Sequence, residues 1–343
     1  MSTASGPPQP LEPPPLPQST PHRDIEAANH LKHRRRHPLV PGFDEPPPFL
    51  TFLRRNWYDI LTQLLCVLIA FLLYRFSPPL TPRYFPVYPG VGKSAWGLKH
   101  GKPYLAEYIT TITSAVVSFA VPAAVMGAIA LWGTRDFRDG NAALIGLGYA
   151  LSTSALFNSF IKIFIGGLRP HFLSICQPTN PPAIPGGGPS KNWYHAAQVC
   201  TGDNDKVKEA QMSFPSGHSS AAFGGFVFLT LYLNGKFKIL SSGRHFRDYY
   251  GSNVSQERQT AATHQRAHHW KFVVFVTPWC IAILIAGSKI RDEWHHPVDV
   301  VFGALVGILF AHVAYRMVYR SVYDWRTNHV PMAETRAERG KDE

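Results

Sequence analysis

The sequence predicts an all-α fold, a six-helix transmembrane bundle behind a disordered, proline-rich N-terminal tail. Three observations predict it. Six long stretches are predominantly apolar, aromatic residues stand at their ends, and lysine and arginine gather in alternate connections. The chain of 343 residues is 45% hydrophobic and only 16% charged, against roughly 25% charged in soluble domains.

The tail comes first. Residues 1–49 hold thirteen of the thirty prolines and a basic run at 33–37. Such a composition cannot bury enough apolar surface to offset chain entropy, so disorder is expected. The start is polar rather than basic and then apolar, so no cleavable signal peptide is expected. The apolar stretches follow at Trp57–Tyr74, Tyr108–Trp132, Ala142–Ile161, Ser219–Gly235, Phe272–Ser288 and Val300–Tyr315. About 20 residues cross the hydrocarbon core, with 17 near the lower limit. The first three suffice alone, and the last three need extension at one end. A six-span membrane domain at 50–326 and a polar tail at 327–343 complete the organisation.

Arg54, Arg55, Arg135, Arg138, Lys236, Lys238 and Arg316 belong to connections that six spans place on one side, together with the basic tail and residues 244–266. The positive-inside rule makes that side, and both termini, cytoplasmic. Loops one, three and five then face the lumen or the exterior. The net charge of +12 follows from this distribution. It forms no readable basic patch or binding motif, so no nucleic-acid partner is expected. Cys176 and Cys200 share the third loop, where oxidation is permitted, and are expected to pair. Cys66 and Cys280 lie in apolar runs as inert thiols.

Three polar clusters fall at the non-cytoplasmic face. Lys162 ends the third span and Arg169 follows seven residues later, nearly two helical turns, so a continued helix would point both cations one way. Gly166 and Gly167 between them permit close backbone approach. Pro215-Ser216-Gly217-His218 opens the fourth span, where helix-start N–H groups favour an anion. His295 and Asp299, four residues apart, can meet on one turn. Taken singly, the cations could snorkel to headgroups, and the histidines could be structural. Jointly, three loops on one face supply cations, an anion-binding turn, two histidines and an orienting carboxylate.

Other patterns carry less. Gly90-Val91-Gly92-Lys93-Ser94 resembles the end of a P-loop, but Val87 stands where the upstream glycine is required. His264, His268 and His269 lie on the opposite face as a solvated loop. The sequon Asn253-Val254-Ser255 is expected to stay unglycosylated there.

The three clusters resemble the signature of the type 2 phosphatidic acid phosphatases, or lipid phosphate phosphatases: K-x6-RP, PSGH and SR-x5-H-x3-D. Here these read Lys162…Arg169-Pro170, Pro215–His218 and Ser288-Lys289…His295…Asp299. The stretches LRPHFLSICQP from 168 and SFPSGHSSAAF from 213 resemble the diacylglycerol pyrophosphate phosphatase-like branch. The resemblance covers about residues 55–325 and departs from the pattern at Lys289, where the family usually has arginine. It implies a phosphatase acting on phosphatidate, diacylglycerol pyrophosphate or lysophosphatidate in the bilayer. His295 would be the nucleophile, Asp299 its orienting carboxylate and His218 the general acid. Lys162, Arg169, Ser216, Gly217 and Lys289 would bind the phosphate. With three cations in place, no metal and no cofactor are expected. His296 is the rival nucleophile. The competing functions are headgroup transfer between lipids by the same histidine chemistry, and lipid binding or transport without catalysis.

Overall fold

In the computed structural model the chain is described at residues 42–43, 47–81, 83–179, 192–240, 268–324 and 326–332. Most of the proline-rich tail, the sequon at 253–255, His264, the basic residues at 244–266 and positions 333–343 lie outside the described residues.

Helix α1 (Phe49–Phe76) begins directly after Pro48, which presets the entry to a helix. Strand β1 (Tyr84–Pro86) and helix α2 (Ala95–His100) follow in the first connection. Helix α3 (Thr111–Ala128) starts where the Thr110 hydroxyl accepts the Thr113 N–H, and it continues as a π-helical turn, Ile129–Thr134. Helix α4 (Phe137–Phe164) is capped by the Asp136 carboxylate, which accepts the Arg138 N–H. Short pieces then build an insert: α5 (Phe172–Cys176), β2 (Trp193–His195), α6 (Ala196–Val199) and α7 (Asn204–Ala210). Three long helices end the fold: α8 (Gly217–Phe237), α9 (His269–Arg291) and α10 (Pro297–Val318).

Among the described residues, five helices are long and apolar enough to cross a membrane: α1, α3 with its π turn, α4, α9 and α10. They mark an integral membrane protein. Helix α8 has 21 residues but carries Gly, Ser, Thr and Asn along its length. Its position explains that composition. It is packed by α3, α4, α9 and α10 and is buried from His218 to Gly235 except at Ala221, so it has little surface to offer lipid. Helix α1, in contrast, packs on α4 and leaves most of its apolar side chains exposed. The first apolar stretch contains one carboxylate, Asp59, which accepts the Tyr149 hydroxyl at 2.7 Å.

The main core joins Leu147 and Ala150 of α4, Phe226 and Phe228 of α8, Ala282 of α9 and Ala311 of α10. A separate small core lies in the insert, where β1 pairs antiparallel with β2 and Phe85, Phe172, Val199 and Ala210 are buried together. A disulfide joins Cys176 to Cys200 there. At the far end of the bundle, Asp139 accepts Lys236 Nζ at 2.6 Å and the Tyr232 and Tyr319 hydroxyls at 2.9 Å each. From Asp139 to Lys162 helix α4 rises roughly 35 Å at 1.5 Å per residue, so a polar network stands at each end with apolar packing between.

Helix α10 approaches α8 closely because Gly303 and Gly307 face it. A methyl group added at Gly303 would meet the Ser216 carbonyl oxygen, and one at Gly307 the Ser220 carbonyl oxygen. Small residues four apart allow such backbone contact between membrane helices. Gly303→Ala is therefore expected to destabilise the detergent-solubilised protein by about 1–3 kcal/mol, the usual cost of overpacking. Gly127→Ala, with nothing within 4 Å of the added carbon, should leave the midpoint of thermal unfolding unchanged or higher. Equal midpoints for the two variants would show that the close approach carries no stability.

Candidate active site

The first two clusters meet through a bend rather than along a helix. Helix α4 ends at Phe164, and Gly166 and Gly167 adopt φ of 53° and 123°, a region that glycine enters at no steric cost. The expectation that Lys162 and Arg169 share one helix face is corrected here: Lys162 is helical and Arg169 lies beyond the bend. The freed backbone pairs with the segment before α8. Gly167 N donates to Gln211, Ser213 N to Gly167, Phe214 N to Gly166 and Arg169 N to Ala210, at 2.8–3.2 Å. These bonds bring the two cations to the residues that open α8.

Lys162 Nζ donates to the Met212 carbonyl at 3.2 Å. Arg169 Nη2 reaches Glu209 Oε1 at 3.1 Å, and its guanidinium stacks 4.7 Å from the Trp294 ring centre. Its Nε and Nη1 have no hydrogen-bond partner among the described residues. Ser216 caps α8 by accepting the Ser219 N–H at 3.4 Å, and Gly217 and His218 form its first turn. His218 Nε2 lies 3.7 Å from Glu107 Oε2.

The third cluster is held by the turn between α9 and α10. Trp294 N and His295 N both donate to the Lys289 carbonyl, and Glu293 takes a left-handed φ of 58°. Pro297 starts α10, and Asp299 in its first turn accepts the His296 N–H at 3.0 Å and the Ser213 hydroxyl at 2.5 Å. The Asp299 carbonyl accepts the Ser216 N–H at 3.0 Å. His295 Nδ1 stands 3.7 Å from Asp299 Oδ2, which leaves Nε2 on the opposite edge of the ring. His296 turns away, with Nε2 3.2 Å from the Leu168 carbonyl oxygen.

One pocket of about 220 Å³ joins these pieces. Lys162, Arg169, Gly217, His218 and His295 line it, with Glu107 and Glu209. Two members of the expected phosphate-binding set lie off its wall. Ser216 is fully buried as the helix cap. Lys289 is fully buried too, where Nζ donates to the Ile109 carbonyl at 2.6 Å and lies 3.5 Å from Glu107 and 3.6 Å from Asp292. Arg291, two residues on, is exposed over Tyr108.

A family model described as the PAP2 superfamily matches residues 143–323, just over half of the chain. The chain belongs to the PAP2 superfamily. A PA-phosphatase related-family protein of Dictyostelium discoideum is 32% identical over 66% of the chain and 62% of its own length. Lipid phosphate phosphatase 2 of Arabidopsis thaliana is 32% identical over 55% of each chain. Diacylglycerol pyrophosphate phosphatase 1 of Saccharomyces cerevisiae is 32% identical over 53% of each. The chain thus spans about half to three fifths of the length of these relatives. No solved structure matches it.

The PAP2 site contains residues that the motifs did not announce. Glu107 sits three residues before the cap of α3 and contacts both His218 and Lys289. Burial alone would raise its carboxyl, but the contact and charge of His218, then Lys289 and Arg169, hold it below its ordinary value. Burial drives the His295 imidazole well below its usual pKa; Asp299 opposes this, and Arg169 and Lys162 add to it. Neutral His295 is therefore the dominant form near pH 7. Ser213 was legible only as the residue beside the PSGH turn, and Glu107 had no signal beyond being a carboxylate near a span end.

Two further histidines brace the PAP2 loops. His100 Nδ1 lies 3.4 Å from the Arg169 carbonyl oxygen, and His171 Nδ1 lies 2.9 Å from that of Glu293. Burial lowers both to about 4. The unfolded chain binds these protons near 6.5, so the stabilisation is full above pH 6.5 and is lost as pH falls toward 4. We expect acid to cost on the order of 2–3 kcal/mol per histidine across that window. Thermal unfolding in detergent from pH 7.5 to 4.5 checks it: His171→Gln should fall less steeply than the parent protein, and parallel curves would remove this histidine from the account.

Proposed function

We propose that this chain removes the phosphate group from lipid phosphates through a phosphohistidine formed on His295. The observation that carries the reading is the pocket lined by Lys162, Arg169, His218 and His295, residues drawn from three separate stretches of the chain. In the first step His295 Nε2 attacks phosphorus while the bond from phosphorus to the lipid oxygen breaks. His218, protonated, gives its proton to that departing oxygen. Asp299 holds His295 with Nδ1 protonated and offsets the imidazolium charge as it forms. In the second step water attacks the phosphohistidine, His218 takes the water proton, and inorganic phosphate leaves. Catalytic hydrogen bonds often tighten only when substrate is seated, and the 3.7 Å separation of His295 from Asp299 is of that kind.

Lys162 with its remaining N–H donors, Arg169 with Nε and Nη1, and the Gly217 N–H would take the equatorial oxygens. These fixed donors do the electrostatic work that a metal ion performs elsewhere, so activity should persist in EDTA. Phosphatidate, lysophosphatidate and diacylglycerol pyrophosphate are the substrates in view, the last because a yeast relative is named for it. In this reading the catalytic domain spans 50–326 and all six long helices cross the membrane. The termini are cytoplasmic and the pocket opens on the luminal or extracellular side, the side of the Cys176–Cys200 disulfide.

Lys289 enters through Glu107. Its ammonium, between Glu107 and Asp292, keeps the Glu107 carboxylate in place beside His218, and Ser216 acts by fixing the start of α8.

Purified protein incubated briefly with ³²P-labelled phosphatidate should carry acid-labile, base-stable label. His295→Ala should carry none and Asp299→Ala nearly none, while His296→Ala should still be labelled. Label that survives His295→Ala would overturn the assignment. Lys289→Ala should lower kcat/KM by roughly 10–1,000-fold, the scale of losing an electrostatic contributor. Lys289→Arg keeps the charge and should retain most activity. An inactive Lys289→Arg beside an active Lys289→Ala would be incompatible with the role given to this side chain.

A further inference from the structure

The pocket does not end at the phosphate-binding cations. Below Lys162 it runs along α4 past Asn158 and Ser154 to Leu151, with Ser114 and Ala115 of α3 and Ser220 and Ala221 of α8 opposite. Lys162, Asn158 and Ser154 are spaced four residues apart, so they line one face of α4.

Three side chains in this part of the pocket are buried and polar, with an atom lacking a partner among the described residues. Ser114 and Ser154 are each 1% exposed and Asn158 is 4% exposed. Ser114 Oγ, Ser154 Oγ and Asn158 Oδ1 have no hydrogen-bond partner, while Asn158 Nδ2 donates to Ser220 Oγ. A buried hydroxyl or amide oxygen left unpaired is destabilising, and lipid supplies nothing to pair with it. Three lining one stretch of the pocket are explained if a ligand pairs them.

The chemistry of that ligand follows from charge. The acidic, basic and histidine lining residues Glu107, Lys162, Arg169, Glu209, His218 and His295 belong to the end described above. The stretch from Asn158 to Leu151 and its facing residues is neutral. Two hydroxyl donors and one amide acceptor suit uncharged oxygens: ester carbonyls accepting from the serines, or a free hydroxyl donating to Asn158. The mouth beside them is small and open. Thr111, Ala115 and Ala155 are exposed on α3 and α4, two helices apolar enough to cross a membrane.

We propose that Ser114, Ser154 and Asn158 form a neutral oxygen-binding subsite that reads the uncharged ester or hydroxyl oxygens of a glycerol-based leaving alcohol, whose chains pass between α3 and α4 into the bilayer. The inference rests on the phosphatase reading and gives the substrate class of the same site. It makes the subsite a determinant of specificity, distinct from the groups that act on phosphorus.

The test compares kcat/KM for dioleoyl phosphatidate and for dodecyl phosphate, which has no oxygen outside its phosphate, using the full chain in detergent micelles. Each hydrogen bond of about 1.4 kcal/mol is worth a factor of ten. Ser154→Ala and Ser114→Ala should each lower kcat/KM for phosphatidate about tenfold and leave dodecyl phosphate within about twofold. Retained dodecyl phosphate cleavage shows that the variants are folded. A dialkyl ether analogue of phosphatidate spared by the serine variants assigns the hydroxyls to ester carbonyls. Lysophosphatidate weakened by Asn158→Ala, with dodecyl phosphate unaffected, assigns Oδ1 to a free hydroxyl. Variants that slow both substrates equally, or neither, overturn the subsite. Parent protein that cleaves neither substrate overturns the phosphatase reading itself, so the two failures are separable.

Discussion

The candidate site depends on how closely α10 lies against α8. Where Gly303 and Gly307 meet the carbonyls of Ser216 and Ser220, the backbones themselves are in contact. That contact lets the Asp299 carbonyl accept the Ser216 N–H, and lets its carboxylate accept the Ser213 hydroxyl. One residue in the first turn of α10 thus ties down the start of α8 and the loop before it. It also stands beside His295. A wider spacing would break all of these bonds together, since none of the groups involved has a long side chain able to follow.

Charge is the second constraint. Lys162, Arg169, Lys289, Asp292 and Asp299 are nearly or fully buried in a bundle of apolar helices, where an unpaired charge is costly. The fold answers with neighbours rather than water. Glu209 meets Arg169, Glu107 and Asp292 meet Lys289, and Ser213 meets Asp299. The pairing is incomplete at two residues that line the pocket: among the described residues Arg169 Nε and Nη1 have no hydrogen-bond partner, and neither has His218 Nε2. Those open valences converge on one cavity, which is why the cluster reads as a place for an anion rather than as a structural network. The Asp139, Lys236 and tyrosine network at the other end contrasts with it. There the carboxylate takes three donors, as expected of a cluster that only holds helices together.

Much was legible without coordinates. The apolar stretches gave the long helices, because helix length and apolar composition are local properties, although the edges moved: α1 begins eight residues before Trp57 and α9 three before Phe272. Helix α8 was legible as a helix and only weakly as a span. Its serines, glycines and asparagine are tolerated because four neighbouring helices shield them, and shielding cannot be read from one segment. Arg169 misled for a related reason. Seven residues suggested one helix face, while Gly166 and Gly167 take up that distance in a bend whose backbone pairs chiefly with residues 210–214.

By itself the sequence determined the helical class, the polar loops and the set of candidate side chains, since residue type, periodicity and motif spacing are properties of the chain alone. Only the tertiary structure decided which of those side chains share a cavity. It placed Lys289 off the pocket wall and between two carboxylates. It brought in Glu107 from the first connection and Glu209 from the insert, and it exposed the neutral wall of Ser114, Ser154 and Asn158. The physical reason is range. Burial, charge pairing and an unfilled hydrogen-bond valence depend on groups that are distant in sequence, and the packing of α8 against its four neighbours is what sets their distances.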